Sequence, residues 1–492
     1  MSKVILHIAL LTSLFSYSQE QLNWVSDVLD TTAFSQNVKS LEEHSAIWPK
    51  LNNRRGTKAD TIPWEKVKKF TIFPASDMVA GMTHNQFQIR TGLGLGMNWI
   101  PMKGMNFQLG YLGGISNTNL INYAGGVYPT AYFRIQEKNG IVQYHDVRAR
   151  LSYSPNKYFN FQLGLDNNKI GEGDRSLLLG NYGTPSPFAQ IRMNVWRIEY
   201  MIIYQFLREP NGNGGYFSKY ATTHYLSIKA TKRFTVGLFE SVIWKGKDSL
   251  QNRGYEWEYL NPIMFFRPTE YSLGSSDNVL MGLNLDYKLN RSFQVYGQLM
   301  LDEFLLSAIK SKSKWWGNKY GIQFGVKGYA PFGWKSVSYF SEFNFVRPFT
   351  YSHGSTGQSY SNDNSVLAHP YGANFMETNN QIKWQKKKWD VQLNVIYMMR
   401  GADNSDTTSW GGNVLKSYTL RPKEYGYSIG NGNQYHIMKV QLTAGYQLIQ
   451  KWKLRGFVTG ELAAYTQNNK TSWFPGIYFG IHTELWNDKR NY

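Results

Sequence analysis

Cysteine is missing from all 492 residues. That excludes an acylated-cysteine anchor, a disulfide framework and a thiolate metal site. Long hydrophobic runs are missing too. After residue 18 nothing approaches the ~18 consecutive apolar residues of a membrane-spanning helix. Acidic residues are scarce, with 34 Asp and Glu against 53 Lys and Arg, a formal charge of +19. The one apolar run stands at the start, where Lys3 precedes a mostly apolar stretch over 4–15 and Ser16-Tyr17-Ser18 precedes Gln19. It is too short for a stop-transfer helix and ends in small residues, so 1–18 reads as a secretory signal peptide. An exported chain meets no nucleic acid routinely. Its spread positive charge suits anionic lipid head groups, lipopolysaccharide or acidic polysaccharide instead.

What the chain has in abundance is aromatics and glycine: 34 Tyr, 28 Phe, 16 Trp and 45 Gly, with a mean hydropathy of only −0.44. Strands that alternate lipid-facing and lumen-facing side chains cancel in any hydropathy window, so this combination fits an outer-membrane β-barrel. The alternation is visible. Phe293, Val295, Gly297, Leu299 and Leu301 interleave with Gln294, Tyr296, Gln298 and Asp302. Val391, Leu393, Val395 and Tyr397 interleave with Asp390, Gln392 and Asn394, and Leu454, Val458 and Leu462 with Arg455, Thr459 and Glu461. Val147, Ala149 and Leu151 do the same with Arg148 and Arg150.

Period two also describes a soluble sandwich, so the connections decide. Short turns are expected at Pro101-Met102-Lys103-Gly104, Pro155-Asn156-Lys157, 194–196, Thr231-Lys232-Arg233, Leu289-Asn290-Arg291, Pro331-Phe332-Gly333-Trp334, Lys386-Lys387-Lys388 and Gln450-Lys451. Between them lie polar loops at 115–144, 168–187, 208–221, 245–277, 303–316, 348–376, 401–433 and 467–474. Short periplasmic turns alternating with long extracellular loops are the outer-membrane arrangement. Each short turn joins two strands. A first strand at 69–73 and a last at 476–486 complete an all-β, transmembrane antiparallel barrel of about 18 strands (16–18). Residues 127–136 and 141–152 form a hairpin around Asn139-Gly140, placed in a loop and continuing into the fourth strand. Residues 19–65 carry no barrel pattern. They are expected to be an N-terminal periplasmic or plug segment, partly helical from the capping-box-like Ser40-Leu41-Glu42-Glu43, leaving 66–492 as the barrel.

Several motifs lead nowhere. Gly92-Leu93-Gly94-Leu95-Gly96 lacks the spacing and following helix of a nucleotide loop; glycines on one strand face leave room for bulky lumenal neighbours. Asp166-Asn167-Asn168-Lys169-Ile170-Gly171 has an apolar fifth position, and its twelfth, Leu177, is not Glu, so it fails as a calcium loop. The nine histidines form no HExxH, and no GxSxG appears. Asp302-Glu303 reads as rim charge ahead of a glycosidase pair. No catalytic residue, metal or cofactor is expected.

Two segments carry a resemblance. One is Phe161-Gln162-Leu163-Gly164-Leu165-Asp166 through Gly171-Glu172-Gly173-Asp174-Arg175-Ser176-Leu177-Leu178-Leu179. The other runs from Tyr255-Glu256-Trp257-Glu258-Tyr259-Leu260-Asn261-Pro262 through Arg267-Pro268 and Asp277-Asn278 to Asp302-Glu303-Phe304 and Trp315-Trp316-Gly317-Asn318. Over about 155–330 the chain resembles the capsule-assembly Wzi family, and within it the RemB-like gliding-motility branch of the Bacteroidota, whose signals also end in Ser-Gln-Glu. The resemblance implies an 18-stranded outer-membrane barrel with a plugged lumen. It further implies a surface lectin for exported polysaccharide, or a role in gliding motility with adhesin and type IX secretion components.

For a saccharide, aromatic platforms on long loops are expected: Trp257, Tyr259, Trp315, Trp316, Trp410 and Trp473, several of which would equally serve as interface girdle residues. A rim or plug charge network is expected from Arg175, Arg267, Asp277, Asp302 and Glu303. The alternatives are an anion-favouring channel lined by Arg148, Arg150, Arg192, Lys453 and Arg455, or a structural subunit associated with the secretion machinery.

Overall fold

The computed structural model describes residues 22–23, 44–51, 69–83, 86–117, 134–138, 140–156, 158–211, 215–247, 253–263 and 277–483. Eighteen of its strands close into one antiparallel barrel. In chain order they are β1 (Phe70–Thr83), β2 (Gln86–Trp99), β3 (Met105–Ser116), β4 (Ile141–Tyr153), β5 (Phe159–Asp166) and β6 (Ser186–Val195). There follow β7 (Ile198–Pro210), β8 (Tyr216–Lys229), β9 (Phe234–Lys245), β10 (Asn278–Lys288), β11 (Phe293–Glu303) and β12 (Lys319–Tyr329). The circuit continues with β13 (Val337–Val346), β14 (Phe375–Lys386), β15 (Trp389–Ala402), β16 (Asn433–Ile449), β17 (Leu454–Gln467) and β18 (Lys470–Thr483). β18 closes on β1 from Gly476↔Thr83 to His482↔Asp77. No helix among the described residues is long and apolar enough to cross a membrane.

Alternation makes the wall two-faced. Phe70, Ile72, Met78, Leu93, Leu95, Ile322, Phe324, Leu442, Phe479 and Ile481 stand exposed on the outside, as a lipid belt requires. Their neighbours in sequence, such as Asp77, Arg90, Gln298, Gln323 and Glu342, are buried inside. The lumenal glycines have the expected use. A Cβ on Gly92 would lie 2.3 Å from the Tyr144 hydroxyl, and one on Gly325 2.1 Å from the Tyr296 ring. Each glycine is the slot for a cross-strand aromatic.

All eight expected short turns join the strand pairs assigned to them. Trp196, Lys387 and Lys453 take positive φ there, the conformation that tight hairpins demand. The opposite end departs from strict alternation. β1 continues past Phe73 through Pro74 to Thr83 and pairs with β2 through Thr83↔Gln86, a connection the sequence reading lacks. Pro74 is tolerated because β18 accompanies β1 only as far as Asp77, so no second ladder asks for its missing N–H. The expected loop at 467–474 is instead a two-residue turn. Asn468 and Asn469 sit at φ 51° and 60°, which asparagine accepts readily. The 208–221 loop contracts to 211–215. The 127–152 hairpin stands where expected, Arg134–Lys138 pairing with the start of β4; 127–133 lie outside the described residues, as do Ser40–Glu43.

Candidate functional site

The lumen is not empty. The β5–β6 connection turns inward from its first residue, because the fully buried Arg150 gathers it. Its Nε donates to Asp166 at 3.0 Å, Nη1 to Gln162 at 2.6 Å and Asn168 at 3.1 Å, and Nη2 to the Asn167 carbonyl at 3.1 Å. The sequence that mimicked a calcium loop is therefore an arginine-binding one. Beyond it, Lys169–Ile170 pairs with Ile47–Trp48 from the N-terminal segment. The Trp48 indole donates to the Gly171 carbonyl at 3.2 Å, and His44 meets Ser227 at 2.7 Å. Residues 44–48 of the N-terminal segment thus pack inside the barrel against the β5–β6 connection.

The plug is held by polar and apolar contacts together. Burial alone would raise the Glu172 carboxyl, but Lys327, Ser45, Lys50 and Lys288 hold it below its ordinary value. Arg175 pairs with Glu377 of β14, and the Asp174 N–H donates to Glu342 of β13 at 2.9 Å. His369 donates from Nε2 to Glu377 at 2.9 Å and accepts the Tyr371 N–H on Nδ1 at 3.2 Å. Burial, then Arg175, keeps it well below the usual histidine range, so it is neutral. Leu177, Leu178 and Leu179 are buried among Phe239, Leu280, Met300, Tyr351 and Tyr360. Tyr351 and Tyr360 belong to the β13–β14 loop, which also folds inward: its Leu367 carbonyl accepts the Gly180 N–H at 2.7 Å, and the Tyr351 hydroxyl donates to the Leu177 carbonyl at 2.7 Å.

Four of the five basic residues proposed as a channel lining are engaged by partners, and the fifth lies in a turn. Arg148 pairs with Asp146 and Asp166, Arg150 with Asp166, and Arg455 with Asp390. Arg192 donates to the Pro49 carbonyl at 2.9 Å, and Lys453 lies in the β16–β17 turn at φ 49°. The residues expected in a rim or plug charge network lie in separate clusters. Arg175 is in the plug. Asp277 takes both Arg253 nitrogens at 2.8 Å and the Tyr259 hydroxyl at 2.8 Å. Asp302 and Glu303 share the buried Lys319 ammonium at 3.3 and 3.1 Å. Sharing one counter-ion is a structural arrangement, not two carboxylates facing a cleft. Arg267 lies outside the described residues.

At the loop end, three long loops converge. They bring together Trp315 and Trp316 from 304–318, Phe349 from 347–374, and Trp410, Tyr418 and Tyr427 from 403–432. Trp316 packs on Tyr418 at 4.7 Å between ring centroids and edge-on to Phe349 at 5.8 Å, and Tyr427 bridges Phe349 and Trp410. Cations cover the rings. Arg421 lies 4.1 Å over Trp316, and Lys423 sits 5.6 Å from Trp410 and 5.4 Å from Tyr427. The Trp316 indole donates to Glu424 at 2.7 Å, and Glu424 also pairs with Arg421.

Three of the six expected platforms are therefore neighbours, but Trp316 is buried and its face already occupied, so it organises the cluster rather than offering a surface. The exposed groups are Lys423, Glu424 and Tyr425, with Arg421 half-buried beside them and paired to Glu424. The run Arg421-Pro422-Lys423-Glu424-Tyr425-Gly426-Tyr427, charge interleaved with rings, was the signal passed over. The other three platforms lie elsewhere. Trp473 is exposed on the lipid face, with the parity of Ile477 and Phe479, and is a girdle residue. Tyr259 is fully buried, and Trp257 is 76% exposed beside it, on the outside of the barrel.

Among the described residues no group of three or more His, Cys, Asp or Glu could hold a metal ion. No family model and no curated protein matches this chain. Solved structures do. The outer membrane protein OprD of Pseudomonas aeruginosa shares 10% identity at a TM-score of 0.43, over 84% of this chain and 92% of that one. OpdK of the same organism, solved with vanillate, shares 9% at 0.45 over 84% and 98%. OccAB2 of Acinetobacter baumannii shares 9% at 0.43 over 84% and 97%.

Proposed function

We propose that this outer-membrane barrel is a plugged, non-catalytic surface protein that holds capsular or exopolysaccharide at its loop end. The observation that carries the reading is the loop-end cluster, where rings and cations from three loops combine above a lumen filled by the chain itself. Ring faces stack on the C–H faces of sugars, and guanidinium and ammonium groups pair with the carboxylates of an acidic polymer. Arg421, Lys423 and Tyr425 make the contacts, backed by Trp315 and Trp410. A role in gliding motility, with adhesin or type IX secretion components as partners, is the same reading with the polymer used for traction. The test replaces Arg421 and Lys423 together by Ala. Retention of purified acidic surface polysaccharide falls about tenfold, as expected for two charge-assisted contacts, while the folded barrel keeps its heat-modifiable migration. Unchanged retention refutes the reading.

A channel is the second reading, and one observation favours it. Toward the turn end the lumenal Lys383, Gln392, Lys439 and Gln441 are only half-buried, unlike the wall around the plug. Planar-bilayer recording separates the two, since the plugged reading requires near silence and the channel reading requires stable anion-selective steps.

A further inference from the structure

The outer wall of β7, β8 and β9 breaks the rule that the rest of the barrel keeps. By parity Tyr200, Tyr204 and Phe206 of β7, Thr222 and His224 of β8, and Glu240, Val242 and Trp244 of β9 face outward. Polar groups there would meet lipid, which offers no hydrogen-bond partner. Yet Thr222 and His224 are 0% exposed and Glu240 3%. They are covered by the chain itself. Residues 253–263 of the β9–β10 connection leave the loop rim and run down the outside of the barrel.

The path is set by the bonds. The Trp244 indole donates to the Gly254 carbonyl at 3.4 Å, the Tyr204 hydroxyl to the Leu260 carbonyl at 3.2 Å and the Tyr200 hydroxyl to the Pro262 carbonyl at 2.8 Å. Thr222 meets the Tyr255 hydroxyl at 3.3 Å. Tyr200 is the third residue of β7. From Pro210 to Tyr200 is about 33 Å along the strand at ~3.3 Å per residue, so the strap follows most of the length of β7. Its side chains add an aromatic seam, with Tyr255 against Phe206, Tyr220 and Trp244, and Tyr259 against Trp244 at 4.7 Å.

Two features distinguish this from an ordinary packed loop. The wall's ring donors address main-chain carbonyls, which any extended polypeptide presents, in the manner of a peptide-binding surface. Among the described residues the strap's ion pairs sit at the rim, Arg253 with Glu256 and Asp277, where the Gly254 N–H also donates to the Gly246 carbonyl at 2.7 Å. Past that hinge tyrosine hydroxyls, ring packing and a hydrogen bond of His224 with the Asn261 backbone hold the strap to the wall.

We propose that the outer wall of β7–β9 is a docking groove for an extended polypeptide, filled in cis by residues 254–263, and that an extended aromatic–aliphatic segment of a neighbouring membrane protein takes the strap's place. The polar wall is then the recognition surface and the strap its built-in competitor.

The absence of native cysteine makes the test clean. Phe206→Cys with Tyr255→Cys, in the full chain in nanodiscs, is closed by a short reducible bis-thiosulfonate linker; the parent rings lie 5.8 Å apart. The probe is a labelled synthetic peptide with the sequence of residues 253–263. It is supplied at about millimolar concentration to compete with the tethered strap. The peptide binds the open protein, binds at least tenfold less after linking, and recovers on reduction of the same sample. Failure of the linker to form in the folded barrel overturns the proposal, because the strap is then not on the wall. Equal binding in the linked and open states overturns it as lipid partitioning, and so does an absence of binding to the open protein.

Discussion

The bond between Arg175 and Glu377 decides whether the plug is part of the barrel or a passenger in it. Both side chains are about 1% exposed, and Glu377 also receives His369 at 2.9 Å and Asn344 at 3.2 Å. Glu377→Gln keeps the shape and removes the charge, taking from the buried guanidinium the carboxylate it is bonded to. Removing one member of such a pair costs about 3–5 kcal/mol, a rise of roughly 100-fold to several thousand-fold in the plug-opening equilibrium. Arg175→Met costs the same by stranding the carboxylate. The double variant Arg175→Met with Glu377→Gln costs no more than either single change, because no unpaired charge remains. The reporter is Leu178→Cys in each background. Leu178 is 0% exposed, so maleimide labelling of the folded barrel counts plug openings. Because the pair is shielded from solvent, added salt leaves the pattern intact. Single changes that raise the labelling rate less than about threefold, or a double variant that costs the sum of the two, would refute the reasoning; even the low end of the quoted cost exceeds the threefold bound.

Other expectations follow from the same geometry. Leu93 stands 63% exposed in the belt, and Leu93→Arg destabilises the barrel by about 2–4 kcal/mol, measured by urea unfolding in lipid vesicles. Trp473→Ala leaves polysaccharide retention unchanged because that ring faces lipid, whereas Trp316→Ala lowers it by unpacking the cluster, at about 3–5 kcal/mol for a buried tryptophan. Acid loosens the β13–β14 loop. Burial, then Lys319, lowers His353 to about 4, and His369 lies well below its ordinary value. Each resists the proton that the unfolded loop binds below ~6.5. Their contribution is therefore complete above that pH and falls by up to ~1.4 kcal/mol per unit per histidine as pH drops toward 4. His353→Asn flattens part of this slope in the labelling assay, and an unchanged slope would show that His353 is not its source.

The barrel was largely legible in the sequence because its determinants are local. Side-chain parity within ten residues separates Leu93 and Leu95 from Arg90 and Asn98, and the short turns announce themselves by charge and Pro or Gly. The errors came where a local signal was read against its neighbours. Pro74 looked like the end of β1, yet it sits in a stretch paired on one side only. Asn468-Asn469 looked like polar loop, yet two asparagines in the left-handed region make a hairpin.

The site was much less legible, since what places it is contact between distant segments. Nothing near Arg175 in sequence points to Glu377, 202 residues away, and a polar 19-residue connection reads the same whether it projects outward or turns in. The cue was present but needed a partner: Leu177-Leu178-Leu179 is an apolar triplet in a loop, and exposed apolar runs in loops call for a place to be buried. The outward-facing His224 and Glu240 were a comparable cue, two polar residues at lipid-facing positions on adjacent strands, directly opposite in register. Lipid would not tolerate them, so some other part of a polypeptide had to lie there. Parity counted along β8 and β9 could have raised that demand from sequence, but only the strap's carbonyls, arriving from the β9–β10 connection, say what answers it. In both cases the strand pattern records where a side chain cannot be left, and the long connections supply the remedy.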